Sequence, residues 1–251
     1  MEKLGLQLFT VRNTMDIEEG VRYTFKKISE IGYTQVQTAG ISIPAETFKS
    51  IADEYGIEIV GTHGSFNKLI EDPDKAMREH EILGTKNVGI GGFWPKSLDD
   101  LKEFIEKANK FAEIIGKEGY KFTYHNHGHE FAKYTDKTIM QTLVDELDKD
   151  NTSFVLDTCW VQYGGASPVE WINKLAGRIE IIHLKDIFYS LIENKPLMTE
   201  IGNGNLNFHD IIEACRKTGV KYYVVEQDIC PVDPFESIKQ SADYLTENFL
   251  K

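Results

Sequence analysis

A chain of 251 residues, 41% hydrophobic and 27% charged, can bury a sizeable core and is unlike disordered, collagen-like or disulfide-scaffold sequences. With 28 Lys plus Arg against 40 Asp plus Glu, its formal charge of -12 repels phosphate backbones and anionic lipid, so neither nucleic acid nor a membrane is expected as a partner. The N-terminus MEKLGLQLFTVRN lacks a leader pattern, no run approaches the ~20 apolar residues of a bilayer span, and Cys159, Cys215 and Cys230 lack C-x-x-C spacing, so a cytoplasmic protein with reduced thiols is expected.

Short β-rich runs then alternate with helical patterns along the whole chain. LGLQLF near Leu4 gives the first strand, followed by a helix over IEEGVRYTFKKI, with Asp16 as its expected N-cap and Gly32 as its left-handed stop. TQVQTA near Val36 is the second strand, and IEIVGTH near Ile59, after Gly56, the third. NVGIGG near Val88 is the fourth; its glycines have neither G-x-G-x-x-G spacing nor a following acidic residue, so no dinucleotide site is read there. Ser97 caps the clearest helix, whose Leu101, Phe104, Ile105, Ala108, Phe111, Ala112 and Ile115 recur at three- and four-residue steps, with Gly116 and Gly119 as expected C-caps. KFTYHNH near Phe122 and SFVLDT near Val155 are the fifth and sixth strands, and Ser167-Pro168 opens the next helix. IEIIHLKD near Ile181 is the seventh strand and KYYVVEQD near Val224, after Gly219, the eighth. Eight βα units without a linker predict an α/β fold, a single (β/α)8 TIM barrel over residues 1–251.

In such a barrel the reacting groups stand at the C-terminal strand ends. Those ends carry Gln7 and Thr10, Gln37, His63, Trp94 in the loop after the fourth strand, His125 to Glu130, Asp157, His183 with Lys185, and Glu226 with Gln227. The last four strands each offer a metal ligand: Glu130 or a neighbouring histidine, then Asp157, His183 and Glu226. Carboxylates with an imidazole suit Mn, Co, Mg or Zn, although a lone Asp is often a helix cap and a lone His a core residue. Strand alternation turns His183 and Lys185 the same way, so an inward His183 brings Lys185 toward the mouth, to bind substrate or to stabilise developing negative charge. His125 and His127 share one parity and Glu130 has the other. With Gly128 as a hinge, Glu130 is expected to turn back over the mouth as a ligand, His125 to transfer protons or bind substrate, His127 to be second in that role, and His129 to lie in solvent.

The motifs YHNHGHEF (124–131), LDTCW (156–160), IHLKD (182–186), EIGNGNLNF (200–208) and VVEQD (224–228) resemble those of sugar phosphate isomerase/epimerases in the xylose isomerase-like TIM-barrel superfamily, which includes inosose dehydratase. The resemblance spans essentially the whole chain. It implies a divalent metal held by Glu130, Asp157, His183 and Glu226, with Glu226 near the carbon that loses a proton, and substrate contacts from Lys185 and His63. Two departures argue against a two-glutamate epimerisation: Tyr124-His125-Asn126-His127 stands where ketose epimerases often have a glutamate-led motif, and Trp160 where a histidine often follows the sixth-strand aspartate.

Trp160 is expected either to stack on a sugar face or to pack under a loop. The IGNGN glycines either expose N–H groups to an anion or simply turn the chain. The expected activity is a metal-dependent isomerase or epimerase on a sugar, keto-sugar or sugar phosphate, with Glu226 as base beside a chelated carbonyl and His125 or His127 returning the proton. A dehydratase or lyase on a keto-sugar or keto-inositol is the alternative, and a sugar-binding barrel without catalysis a further one. A homo-oligomer is one possible assembly.

Overall fold

The computed structural model describes residues 3–250. Eight short runs rich in Val, Ile, Tyr and Phe form parallel strands: β1 (Gly5–Gln7), β2 (Gln35–Thr38), β3 (Glu58–Thr62), β4 (Asn87–Ile90), β5 (Lys121–His125), β6 (Thr152–Asp157), β7 (Ile179–Leu184) and, after an added hairpin, β10 (Tyr222–Val225). The hairpin is β8 (Asp186–Ser190) paired antiparallel with β9 (Lys195–Thr199). Helices α1 (Glu18–Ile31), α2 (Ala45–Glu54), α3 (Phe66–Glu71), α4 (Pro73–Leu83), α5 (Leu98–Gly116), α6 (Ile139–Glu146), α7 (Thr158–Tyr163), α8 (Pro168–Lys174), α9 (Phe208–Thr218) and α10 (Pro234–Asn248) follow the strands. Among the described residues, no helix is long and apolar enough to cross a membrane.

The sheet order is β3-β2-β1-β10-β7-β6-β5-β4, a nearly closed barrel whose two ends meet at one seam. There a single parallel bridge joins Gly64 to Ile90. The Gly64 N–H donates to Gly89 O at 2.8 Å and the Asn87 side-chain amide donates to Val60 O at 2.8 Å, so a side chain replaces part of the missing ladder. Only glycine fits at 89: a Cβ there would lie 2.3 Å from both Thr62 O and Thr123 Oγ1.

Two apolar layers hold the fold. Val60, Val155, Ile181 and Val224 meet inside the barrel, while Phe25, Phe48, Phe104, Phe111, Phe122 and Phe154 belong to the larger layer that includes the helices. Ser97 and Ser167 accept N–H bonds three residues on, at 3.1 and 3.4 Å, as their sequences predict. Asp16 does not cap α1; Ile17 occupies that position without a side-chain bond. Gly116 is not a left-handed cap but the last residue of α5, where a Cβ would fall 2.2 Å from Asn151 Oδ1; Gly119, at φ 74°, makes the turn. The hairpin is a departure from the eight-unit pattern: its first strand follows β7 with only Lys185 between them, and IGNGN, just past its second strand, is a loop.

Candidate metal centre and its surroundings

The period of two along a strand builds the site in tiers. Val155, Ile181 and Val224 fill one tier of the barrel interior, and two residues further on each strand lie Asp157, His183 and Glu226. Asp157 pairs with His183 on one side and Val224 pairs with it on the other, so Glu226 stands a step further along its strand, its N–H donating to Leu184 O at 3.1 Å, and its carboxylate meets the His183 ring. His125, ending β5, completes a buried group in which one ligand atom from each of the four residues lies within 4.8 Å of the others. His183 Nδ1 is 3.0 Å from Glu226 Oε2 and 3.8 Å from Asp157 Oδ2, and His125 Nε2 is 3.4 Å from Asp157 Oδ2 and 3.8 Å from Glu226 Oε2.

Each imidazole is anchored by its other nitrogen. His125 Nδ1–H donates to Gly91 O at 3.2 Å and His183 Nε2–H to Gln37 Oε1 at 2.5 Å, which turns Nε2 of His125 and Nδ1 of His183 toward the carboxylates. Metal-ligating histidines are held in this way. Two imidazoles and two carboxylates suit a borderline divalent ion better than an all-oxygen cation site would. The residues therefore fit a divalent metal.

Lys185 enters the same space. Fully buried, its Nζ lies 2.9 Å from Asp157 Oδ2, 2.7 Å from Glu226 Oε2 and 2.9 Å from Asp228 Oδ1. Burial opposes charge on all these groups and raises Asp228 despite its contact with Lys185, but for the other three the contacts overcome it: Asp157 and Glu226 are held well below the usual carboxylate range by Lys185 and the imidazoles, and Lys185 well above the usual amine range. His183 is raised in the same way by Glu226 and Asp157.

A family model described as xylose isomerase-like TIM barrel matches residues 25–248. The chain belongs to the xylose isomerase-like TIM-barrel family. A protein of Clostridium beijerinckii named inosose dehydratase is 25% identical over 185 residues, 67% of this chain. The chain spans only 61% of that relative's length. One from Clostridium botulinum with the same name is 26% identical over 241 residues, covering 88% of this chain and 79% of the relative. A sugar phosphate isomerase/epimerase structure from Parabacteroides distasonis superimposes with a TM-score of 0.81 at 26% identity, over 99% of this chain and 94% of that one.

In this family member Asp157, His183 and Glu226 come together, but Glu130 is directed elsewhere. Its buried carboxylate accepts from Tyr124 OH at 2.8 Å and from the His127 N–H at 2.8 Å, with His129 Nδ1 at 3.3 Å. Tyr124 has the parity opposite to inward His125, and its ring packs on Phe104 and Phe154, so Glu130 is drawn behind the strand. His125 stands in the fourth position instead. Glu130 forms a separate group with His127 and His129. His129 is not free in solvent: it stacks on Trp94 and donates from Nε2 to Phe93 O at 2.8 Å.

The remaining candidates surround the cluster. The His63 ring lies 5.0 Å from that of His125, and burial, then His125, holds it well below the usual histidine range. His127 sits between Trp94 and Trp160, its pKa pushed down to about 3 by burial and His125, so it is neutral at ordinary pH. The Trp160 ring lies 5.5 Å from Lys185 Nζ. His63 Nε2, Gln37 Nε2, His127 Nδ1 and Trp160 Nε1 are buried without a hydrogen-bond partner, a ring of polar atoms suited to a ligand rich in hydroxyls. A cavity of about 990 Å³ lies between the β2–β3 ends and α4 and touches these atoms only at His63, so the chemistry is located by the buried cluster and not by that cavity.

Sequence reading passed over Asp228, whose signal is its place two residues beyond Glu226. The IGNGN loop holds an internal anion: Asp186 accepts N–H bonds from Ile187, Gly202, Gly204 and Leu206 at 2.8 to 3.2 Å.

Proposed function

We propose that this protein is a metal-dependent isomerase or epimerase that moves a proton at a carbon next to the carbonyl of a small sugar or keto-polyol. The observation that carries the reading is the convergence of His125, Asp157, His183 and Glu226, with the Lys185 ammonium between the carboxylates, inside a ring of unpartnered polar atoms. Those four residues would hold the ion, and a bound divalent ion supplies Lewis-acid polarisation of a substrate carbonyl.

The chain's own groups do the rest. Glu226 takes the proton from carbon; its contacts with His183, Lys185 and His125 all fall on Oε2, leaving Oε1 to receive it. Lys185, fixed by Asp228, presents positive charge to the oxygen on which negative charge develops. His63 Nε2, Gln37 Nε2 and His127 orient hydroxyls, and Trp160 covers the pocket and excludes water.

A second reading, loss of water from a keto-inositol or keto-sugar, is favoured by the His127 imidazole, outside the ligand cluster, beside a single base, and by the relatives named inosose dehydratase. One experiment separates the readings. With Mn2+ and a panel of ketohexoses, their phosphates and a keto-inositol in deuterated water, isomerase action appears as exchange of one C–H proton without loss of mass. Dehydration appears as a new conjugated carbonyl absorbance. Neither signal from any substrate would refute enzymatic action of this type and leave a sugar-binding barrel.

A further inference from the structure

Two buried amides on β1 and β2 lie behind the metal centre and reach the His63 ring just past β3. Gln7, on β1, is fully buried, and the Phe9 N–H donates to its Oε1 at 3.3 Å. That bond fixes which end of the amide is oxygen, so the other end is an NH2 with two hydrogens to give. One goes to Gln37 Oε1 at 3.2 Å and one to His63 Nδ1 at 3.2 Å. His63 Nδ1 therefore accepts, and the ring proton of neutral His63 sits on Nε2, the buried atom with no partner. Gln37 Oε1, held by the same NH2, also receives Nε2–H of His183, which leaves Nδ1 of His183 facing Glu226.

We propose that Gln7 is a positioning residue: its single side-chain amide sets His63 as an Nε2–H donor aimed into the pocket and, through Gln37, orients His183 with Nδ1 toward the carboxylate pair. His63 then recognises an oxygen acceptor on the ligand, a carbonyl or hydroxyl oxygen, and would not serve as a base at Nε2. This assignment rests on the proposed function for its relevance to catalysis, but the geometry it describes exists without metal or substrate.

Long-range 1H–15N correlation on the 15N-labelled full chain reads the tautomer directly, with the His63 signals assigned from a His63→Gln spectrum. The metal-free protein is expected to show His63 protonated at Nε2 and bare at Nδ1. In Gln7→Glu, nearly isosteric, the new carboxylate accepts instead of donating: His63 moves its proton to Nδ1, and Gln37 turns its NH2 toward residue 7 and withdraws its acceptor from His183. Calorimetric titration with Mn2+ is expected to show affinity reduced about 10- to 100-fold in Gln37→Leu, as for other partners of ligating histidines, and by up to about 10-fold in Gln7→Glu. An Nδ1–H tautomer in the unaltered protein, or His63 signals that do not respond to Gln7→Glu, would overturn the proposal. Should Mn2+ fail to bind while His63 responds as stated, the relay stands and the metal reading falls.

Discussion

Replacing Lys185 by Met tests the charge balance of the centre. Met keeps most of the volume, so the perturbation is mainly electrostatic. In the metal-free protein the carboxylates of Asp157, Glu226 and Asp228 face two cations, Lys185 and the imidazolium of His183, whose Nε2 and Nδ1 both donate. Removing the ammonium leaves three negative groups around one positive ring, two of the three with almost no solvent access. Loss of one partner from a buried ion pair costs about 3–5 kcal/mol. For a chain of this length that is a fall in Tm of about 6–20 °C, at roughly 2–4 °C per kcal/mol. Calorimetry in EDTA should show this drop. Saturating Mn2+ should then raise the variant's Tm by more than it raises that of the unaltered protein, because a divalent ion restores the missing charge and no longer competes with an ammonium. A variant whose Tm in EDTA lies within about 2 °C of the parent, or one that gains less from Mn2+ than the parent, would refute the placement of Lys185 between the carboxylates.

Other changes probe separate parts of the molecule. Asp157→Asn should abolish high-affinity Mn2+ binding, whereas Glu130→Gln should leave the stoichiometry unchanged while lowering stability, since Glu130 serves Tyr124 and the His127 N–H; equal loss of metal in both variants, read by elemental analysis after gel filtration, would place Glu130 at the metal. His80 is buried, gives its Nδ1–H to Ala76 O at 2.7 Å and has its pKa lowered by burial, so the unfolded chain binds a proton more readily; stability is complete above pH ~6.5 and falls as pH drops toward the folded value, by at most about 1.4 kcal/mol per pH unit. Denaturant titrations at pH 7.5 and 5.5 should show a larger loss for the parent than for His80→Gln, and equal losses would contradict a neutral buried ring. Asp186→Asn sets an NH2 against the N–H groups of the IGNGN loop and should cost about 2–4 kcal/mol in urea unfolding. Gly204→Ala should act similarly, its Cβ falling 2.2 Å from Asp186 Oδ1, and a neutral result for both would mean the loop does not depend on that carboxylate.

What the sequence made legible follows from periodicity. Eight strands and the inward turn of Asp157, His183 and Glu226 could be read because each sits two residues beyond a buried aliphatic on its own strand, a pattern local enough to see in a line of letters. Glu130 failed that test for a reason also present in the letters: its parity differs from that of His125, and Tyr124, with a hydroxyl to satisfy, lies on the side to which Glu130 can turn. The hairpin was hidden because β8 starts two residues after β7 ends, with only Lys185 between them, so that IHLKDIFYS reads as one run. The relay from Gln7 could not be read at all, since its partners lie 30 and 56 residues away and two glutamines in short strands carry no pattern of their own.

These features are connected by charge. A β5 carboxylate beside Asp157, Glu226 and Asp228 would set four anions against Lys185 and His183 in a largely buried space, and the cost of such burial rises steeply with each unpaired ion. His125 supplies a ligand atom at that position without a negative charge, and Glu130 is retained behind the strand, where a phenol and a backbone N–H satisfy it. The presence of Lys185 among the carboxylates and the presence of an imidazole at the end of β5 are thus one arrangement. His125→Glu combined with Lys185→Met should therefore lower the Tm in EDTA further than His125→Glu alone, because the single variant sets four anions against two cations and the double variant sets the same four against the His183 ring alone; a double variant as stable as the single one would refute this charge balance.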